Sequence, residues 1–386
     1  DAYALVFAGL LLPAGALGDR YGRKRALLVG LAVFAAAAVW AAYADDPTGL
    51  IVARGSMGVG AALVMPATLS ILVSVFPPSE RAKAIAVWAG FAGAGGAIGI
   101  IAGGALLETF WWGSVFFINV PIAAAAAVMI AAVVPESADP RHQPRDVGGA
   151  LLSIAGLGAL VYAIFHGGES GWLEGSTIAW FTAAVVFLAG WVRWEGHHDH
   201  PMLEPDLFRH RPFSLGSLAI TAAFSVMFGM FFVITQYFQF AQGHSPLAAG
   251  IRNLPFALTM VVVAPRSPAV AARLGTRGAL ALGFAIQTAG FVLLTRLSVD
   301  TPSVLVATAL VLLAAGMAVL MPAASEAIVS SLPPSKAGVG SAVNDTTREV
   351  GGALGIAVLG TILASGYRSS LGDATADLPP EARELA

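Results

Sequence analysis

The 386-residue sequence contains no cysteine. Disulfides and thiolate metal sites are therefore excluded. Charge is also scarce. Asp, Glu, Lys and Arg make up 11% of the chain, about half the share found in soluble domains. The formal net charge is −2, and the basic residues do not gather on one polar domain, which speaks against nucleic-acid binding. No paired histidines and no Ser/His arrangement fall within the apolar segments, so an enzyme embedded in the bilayer has no visible machinery. His197, His198 and His200 lie with Glu195 and Asp199 in a polar link. Without inward helical spacing, that link reads as a solvated surface rather than a metal site. No cleavable signal peptide is visible, and the chain opens on Asp1 beside an apolar run. We expect a fragment that begins within or just before a helix.

Hydrophobic residues, by contrast, make up 57% of the sequence. Twelve apolar segments have about the length needed to cross a bilayer. They are residues 2–17, 26–44, 50–75, 83–107, 115–134, 148–166, 177–193, 213–240, 247–264, 278–296, 303–325 and 338–364. Pro13, Pro66, Pro121, Pro255 and Pro322 fall inside them, which neighbouring helices tolerate by satisfying the backbone. Lys and Arg set the orientation. With residues 18–25 inside, the inner links and their flanks hold fifteen of the 21 basic residues, whereas the outer links 45–49, 108–114, 167–176 and 241–246 hold none. This is the pattern of a multi-pass cell-membrane protein, with lipid as its solvent. Residues 366–386 are expected to form a polar outer segment.

An internal repeat organises the chain. Val64-Met-Pro-Ala, Pro77-Pro-Ser and Gly95-Gly-Ala-Ile-Gly-Ile100 recur as Leu320-Met-Pro-Ala, Pro333-Pro-Ser and Gly351-Gly-Ala-Leu-Gly-Ile356, at a constant offset of 256. A second offset, 253, pairs Gly18-Asp-Arg-Tyr-Gly22 with Ala271-Ala-Arg-Leu-Gly275. Copies of equal orientation make parallel repeats, a transporter signature. Residues 1–134 form one helical half and 213–386 the other, with 135–212 supplying two extra helices between them. The count is six plus two plus six with the first and last helices absent. Fourteen spans are expected in a full protein.

The densest motif is Gly18-Asp19-Arg20-Tyr21-Gly22-Arg23-Lys24-Arg25, a link carrying five charges. Gly18 and Gly22 allow a sharp turn, and Asp19 is placed either to cap the following helix or to pair with an Arg. This motif resembles the signature loop between the second and third helices of the major facilitator superfamily. The resemblance covers essentially the whole chain. It implies an all-α membrane fold and, for Asp19, Arg20 and Arg23, a cytoplasmic gate. Arg54 with Gly58, Gly60 and Pro66 resembles a second motif, whose Arg the family links to proton transfer. A buried Arg in lipid costs at least about 2.5–3.5 kcal/mol without a partner or polar cavity. Gly95, Gly99, Gly103 and Gly104 resemble the antiporter motif of drug–proton exchangers, with Ile100 at the motif's proline position. Trp111 and Trp112 suit an outer interfacial belt.

Asn344-Asp345-Thr-Thr-Arg348-Glu349 lies seven to twelve residues into the last span, roughly 10–18 Å deep. Asp345 and Glu349 share a helix face, and Arg348 is spaced to pair with Asp345. Two acids against one base leave a carboxylate for a cation or a proton. Here the chain resembles QacA-type quaternary-ammonium exporters. Asp1 matches an acid of the same group. Trp88, Phe91, Gln236 and Tyr237 are candidates for lining a cavity, and Glu326 reads as a satisfied polar residue. The resemblance implies a monomeric, proton-driven exporter of lipophilic cations, without a cofactor. A metabolite exporter, an uptake symporter and a membrane sensor are the other readings.

Overall fold

The computed structural model describes residues 2–138 and 146–375, and these residues are almost entirely helical with no strand among them. In order the helices are α1 (Ala2–Tyr21), α2 (Arg23–Ala42), α3 (Pro47–Val75), α4 (Pro78–Thr109), α5 (Ser114–Phe117), α6 (Asn119–Val133), α7 (Val147–Ser170), α8 (Gly175–Glu195), α9 (Arg211–Gln236), α10 (Pro246–Arg252), α11 (Leu254–Val263), α12 (Ser267–Leu294), α13 (Ser303–Val329) and α14 (Ala337–Thr375). Eleven stretches are long and apolar enough to cross a membrane. One of them, Pro246–Leu294, runs for 49 residues and covers two of the twelve expected segments. The chain breaks within it at Gly275, which has φ 70°. Its repeat mate Gly22 has φ 112° and separates α1 from α2. Both halves therefore turn on a glycine in a backbone region that side chains rarely adopt. The expected polar link 265–277 is helical up to that break. The expected outer segment 366–386 also begins as helix, because α14 continues to Thr375.

The helix ends explain the boundaries. Asp46 caps α3 through the Gly49 amide at 2.9 Å, and Ser245 caps α10 through the Ala248 amide at 3.3 Å. Pro47, Pro78 and Pro246 open their helices, where a missing N–H costs nothing. Pro255 also lies at a first turn, and Pro121 is the third residue of α6. Only Pro13, Pro66 and Pro322 are internal. Large apolar residues such as Val133, Val304 and Leu173 project outward, as a lipid-facing surface requires.

Two sets of helix contacts join the halves: α1 and α3 pack on α14, and α4 packs on α10, α11 and α13. Glycines permit the close approach. A methyl on Gly15 would strike the Gly338 carbonyl, and one on Gly104 would strike Leu247. Of the central pair, α7 leans on α1 and α14 while α8 packs on α7. The repeated glycines differ between copies. Gly351 and Gly355 press on the Thr221 and Ser225 carbonyls of α9, whereas nothing lies within 4 Å of a methyl placed on Gly95 or Gly99.

Candidate functional site

The cytoplasmic loop of the first half meets the start of α14. Arg23 donates to Asp19 Oδ1 through Nε at 2.8 Å and Nη2 at 2.6 Å. The same Nη2 reaches the Pro334 carbonyl at 2.9 Å. Asp19 also accepts the backbone amides of Gly338 at 2.8 Å and Val339 at 3.1 Å. Asp19 thus pairs with an Arg and caps a helix, but the helix is α14 rather than the following α2. A carboxylate is favourable at that N-terminus because the amides there lack helical acceptors. The cap of α2 comes from Glu136 instead, which accepts the Lys24 and Arg25 amides at 3.1 and 3.2 Å. The Arg20 guanidinium lies over the Tyr21 ring at 5.3 Å.

A second charged cluster sits inside the bundle. Arg348 Nη1 donates to Asp345 Oδ1 at 3.1 Å. The Arg348 guanidinium is 4.7 Å from the Phe224 ring centre on α9 and 5.6 Å from that of Trp88 on α4. One cation therefore touches aromatic faces from both halves. Asn344 accepts from Ser325 of α13 at 2.8 Å and turns its amide toward Asp345 Oδ1 at 3.5 Å. Asp345 is 1% exposed, yet its Oδ2 has no hydrogen-bond partner among the described residues. Glu349, half-buried, makes no hydrogen bond or ion pair among the described residues and stands within electrostatic reach of Tyr3. The Arg54 guanidinium lies 4.8 Å over the Tyr3 ring and 5.7 Å from the ring of Phe116. Tyr3 thus carries Arg54 of α3 on its ring and lies in the neighbourhood of Glu349 of α14.

The remaining candidates lie elsewhere. The Tyr237 hydroxyl donates to the Ser298 carbonyl at 2.8 Å and accepts from Gln242, so it pins the α12–α13 link. Gln236 ends α9 beside it and is half-buried. Phe91 is 69% exposed on α4 and shares the open face of Gly95 and Gly99. Gly103 is equally open, whereas Gly104 belongs to the contact with α10. Asp1 lies outside the described residues. Glu326 is half-buried with Arg81 near it. No three His, Cys, Asp or Glu side chains group into a metal site among the described residues. Sequence reasoning missed Phe224, Ser325 and Glu136. A glutamate two residues past the end of a span was the only available sign, and that for Glu136 alone.

Comparison with known proteins bears on the whole arrangement. The Multidrug efflux pump LfrA of Mycolicibacterium smegmatis is 37% identical over 382 residues, covering 99% of this chain and 75% of that protein. The Tetracenomycin C resistance and export protein of Streptomyces glaucescens is 35% identical, covering 95% of this chain and 68% of its own length. The Methyl viologen resistance protein SmvA of Salmonella typhimurium is 34% identical, with 96% and 75% covered. Among solved structures, the human organic anion transporter MFSD10 superposes with a TM-score of 0.63 at 17% identity, over 94% of this chain and 76% of its own. That likeness concerns the fold. The sequence pattern of the Major Facilitator Superfamily matches residues 2–356. Loop, repeat, helix arrangement and relatives agree, and the chain belongs to the major facilitator superfamily: it is a multi-pass membrane transporter, not an enzyme.

Proposed function

We propose that this chain exports several lipophilic compounds, cations foremost, in exchange for protons. The halves rock about the intramembrane cluster in alternating access. The observation that carries this reading is Asp345, enclosed in the bundle with one carboxylate oxygen unpaired, beside an Arg held on two aromatic rings. A buried carboxylate with vacant acceptor capacity binds a proton or an organic cation, and binding one disfavours the other. The aromatic faces of Trp88 and Phe224 already hold a planar cation and suit another. The relatives' names support small-molecule cargo, including methyl viologen. On this reading a monomer suffices, and the proton gradient replaces a cofactor.

The element that closes the cytoplasmic side is distinct. Asp19 and Arg23 tie the α1–α2 loop to α14, and breaking those bonds is part of opening toward the cytoplasm. The test is reconstitution into liposomes with an imposed proton gradient. Methyl viologen should move against its own gradient as protons move the other way, and collapse of the proton gradient should stop it. Cation movement indifferent to the proton gradient would refute coupling.

A further inference from the structure

A second acidic pair lies outside the cluster described above, at the cytoplasmic ends of the central helices. Asp146 precedes α7 and caps it, accepting the Gly149 amide at 2.7 Å through Oδ1. The same oxygen accepts the Trp194 indole N–H at 2.8 Å. Among the described residues, Asp146 Oδ2 has no hydrogen-bond partner, and neither oxygen of Glu195 at the end of α8 has one. The two residues are 7% and 2% exposed. A methyl built on Gly149 would touch both Asp146 Oδ2 and Glu195 Oε1. The two carboxylates therefore face one methyl-sized volume, which glycine keeps clear.

Among the described residues neither carboxylate pairs with a cation, and residues 139–145 ahead of Asp146 lie outside them. Asp146 is the charged group that bears on Glu195 among the described residues. The Trp191 indole and the Met202 and Leu203 amides face Glu195 without closing a hydrogen bond on it. His197 is engaged with the Arg193 carbonyl, and His198 stacks on Trp194. Arg193, Asp199 and His200 are exposed to the outside. Two buried carboxylates that face the same methyl position disfavour each other's charged form. Asp146 Oδ1 already accepts from two donors, so Glu195, with neither oxygen engaged, is the member left to take up a proton.

We infer that Asp146 and Glu195 form a proton-binding site at the cytoplasmic ends of α7 and α8, separate from the intramembrane cluster. A proton from cytoplasmic water adds to the Glu195 carboxylate. The resulting O–H donates to Asp146 Oδ2, and two negative charges become one. The bond clamps α7 to α8. It also steadies the link after α8, whose Pro201 carbonyl and Glu204 carboxylate both hold Lys336 at 3.2 Å. Lys336 directly precedes α14, so the site reads cytoplasmic pH at the helix that carries Asp345. A divalent metal would need about six to eight oxygens, and these two side chains bring few.

Infrared spectroscopy of the purified full chain tests the site without transport. In the difference spectrum against the parent at neutral pH, Glu195→Gln should lose one protonated carboxylic acid carbonyl component, and the same component should shift in frequency in Asp146→Asn. The folded state holds a proton that the unfolded chain has released at neutral pH, so thermal stability should fall by several degrees as pH rises. Glu195→Gln, a donor that cannot ionise, should flatten that fall. An acid band unchanged in both variants, or a pH profile of melting unchanged in Glu195→Gln, overturns the inference. Asp146→Asn keeps the cap, which guards against a Glu195 variant that fails to fold. In liposomes, transport by Glu195→Gln should respond less to cytoplasmic pH. That arm alone rests on the proposed transport, so absent transport in every variant counts against the function and leaves the infrared result decisive for the site.

Discussion

Two Asp–Arg pairs in this chain use the same chemistry and reach opposite states. In the cytoplasmic pair, Arg23 binds Asp19 at 2.6 Å, and both oxygens of Asp19 are occupied, Oδ1 by Arg23 and the Gly338 amide and Oδ2 by the Val339 amide. In the intramembrane pair, Arg348 binds Asp345 at 3.1 Å, and one oxygen of Asp345 stays without a partner although the residue is 1% exposed. The first carboxylate is complete and closes an interface between α1 and α14. The second retains acceptor capacity at a depth where leaving it unused is costly. The difference lies in helix ends. Asp19 borrows the spare amides of a helix N-terminus, whereas Asp345 sits mid-helix, where every amide is already spent.

The comparison breaks most visibly at Asp19. Asp19→Asn leaves Arg23 in a buried site without its counter-charge, and removing one partner of such a pair costs about 3–5 kcal/mol. Nearly all efflux should be lost while the protein still inserts and elutes as one species. Normal efflux by correctly inserted Asp19→Asn would reduce the loop to a topology signal. Gly355→Ala sharpens the contrast by shifting the helix that carries Asp345 without changing a charge. The new methyl drives into the Ser225 carbonyl, and overpacking of this kind costs about 1–3 kcal/mol. Its melting temperature should drop with the pH dependence of transport retained. A smaller change is expected for Phe224→Leu, which keeps an apolar side chain but removes the ring beneath Arg348, an interaction of roughly 0.5–2 kcal/mol. Cation affinity should change severalfold and neutral-drug affinity little, as read by competition binding. The smallest effect belongs to the exposed pair of Arg209 and Asp206. Arg209→Ala should match the parent in melting and efflux, because solvated ion pairs contribute little.

Much of this architecture was legible in the sequence because lipid imposes strict rules. Span length, basic inner links and the 256-residue repeat follow from solvation and duplication, and both are written locally. The Asp345–Arg348 pair was legible for the same reason, since three residues along a helix are neighbours. Contacts between distant segments were not. Asp19 was placed near an Arg or a helix end, but its partner Gly338 lies 319 residues away, and no spacing rule selects α14 over α2. Glu136 took the cap of α2 from outside the loop. Phe224 is one of several phenylalanines on α9, and only packing shows which one Arg348 meets. Tyr237 looked like cavity lining, yet its hydroxyl bonds the α12–α13 link. The break at Gly275 falls inside the link 265–277 that separates two expected spans and at the repeat mate of Gly22, whereas the helical course of that link up to the break was not legible. Asp146 and Glu195 stand 49 residues apart in polar links, where carboxylates are ordinarily solvated.

The central claim is that Asp345 and Glu349 supply the charge that binds cations and protons in turn. Its most direct test is proton-coupled transport by the Asp345→Asn, Glu349→Gln double variant in liposomes, at matched protein incorporation. Each single change should weaken export of methyl viologen more than export of a neutral drug of similar size. The loss is a few kcal/mol at most, since Arg348 already offsets part of the negative charge. The double variant should carry no cation against the proton gradient, and residual movement of neutral drug should no longer depend on pH. Export of cations by the double variant at the parent's rate and with the parent's pH dependence would contradict the account and make the cluster a structural one.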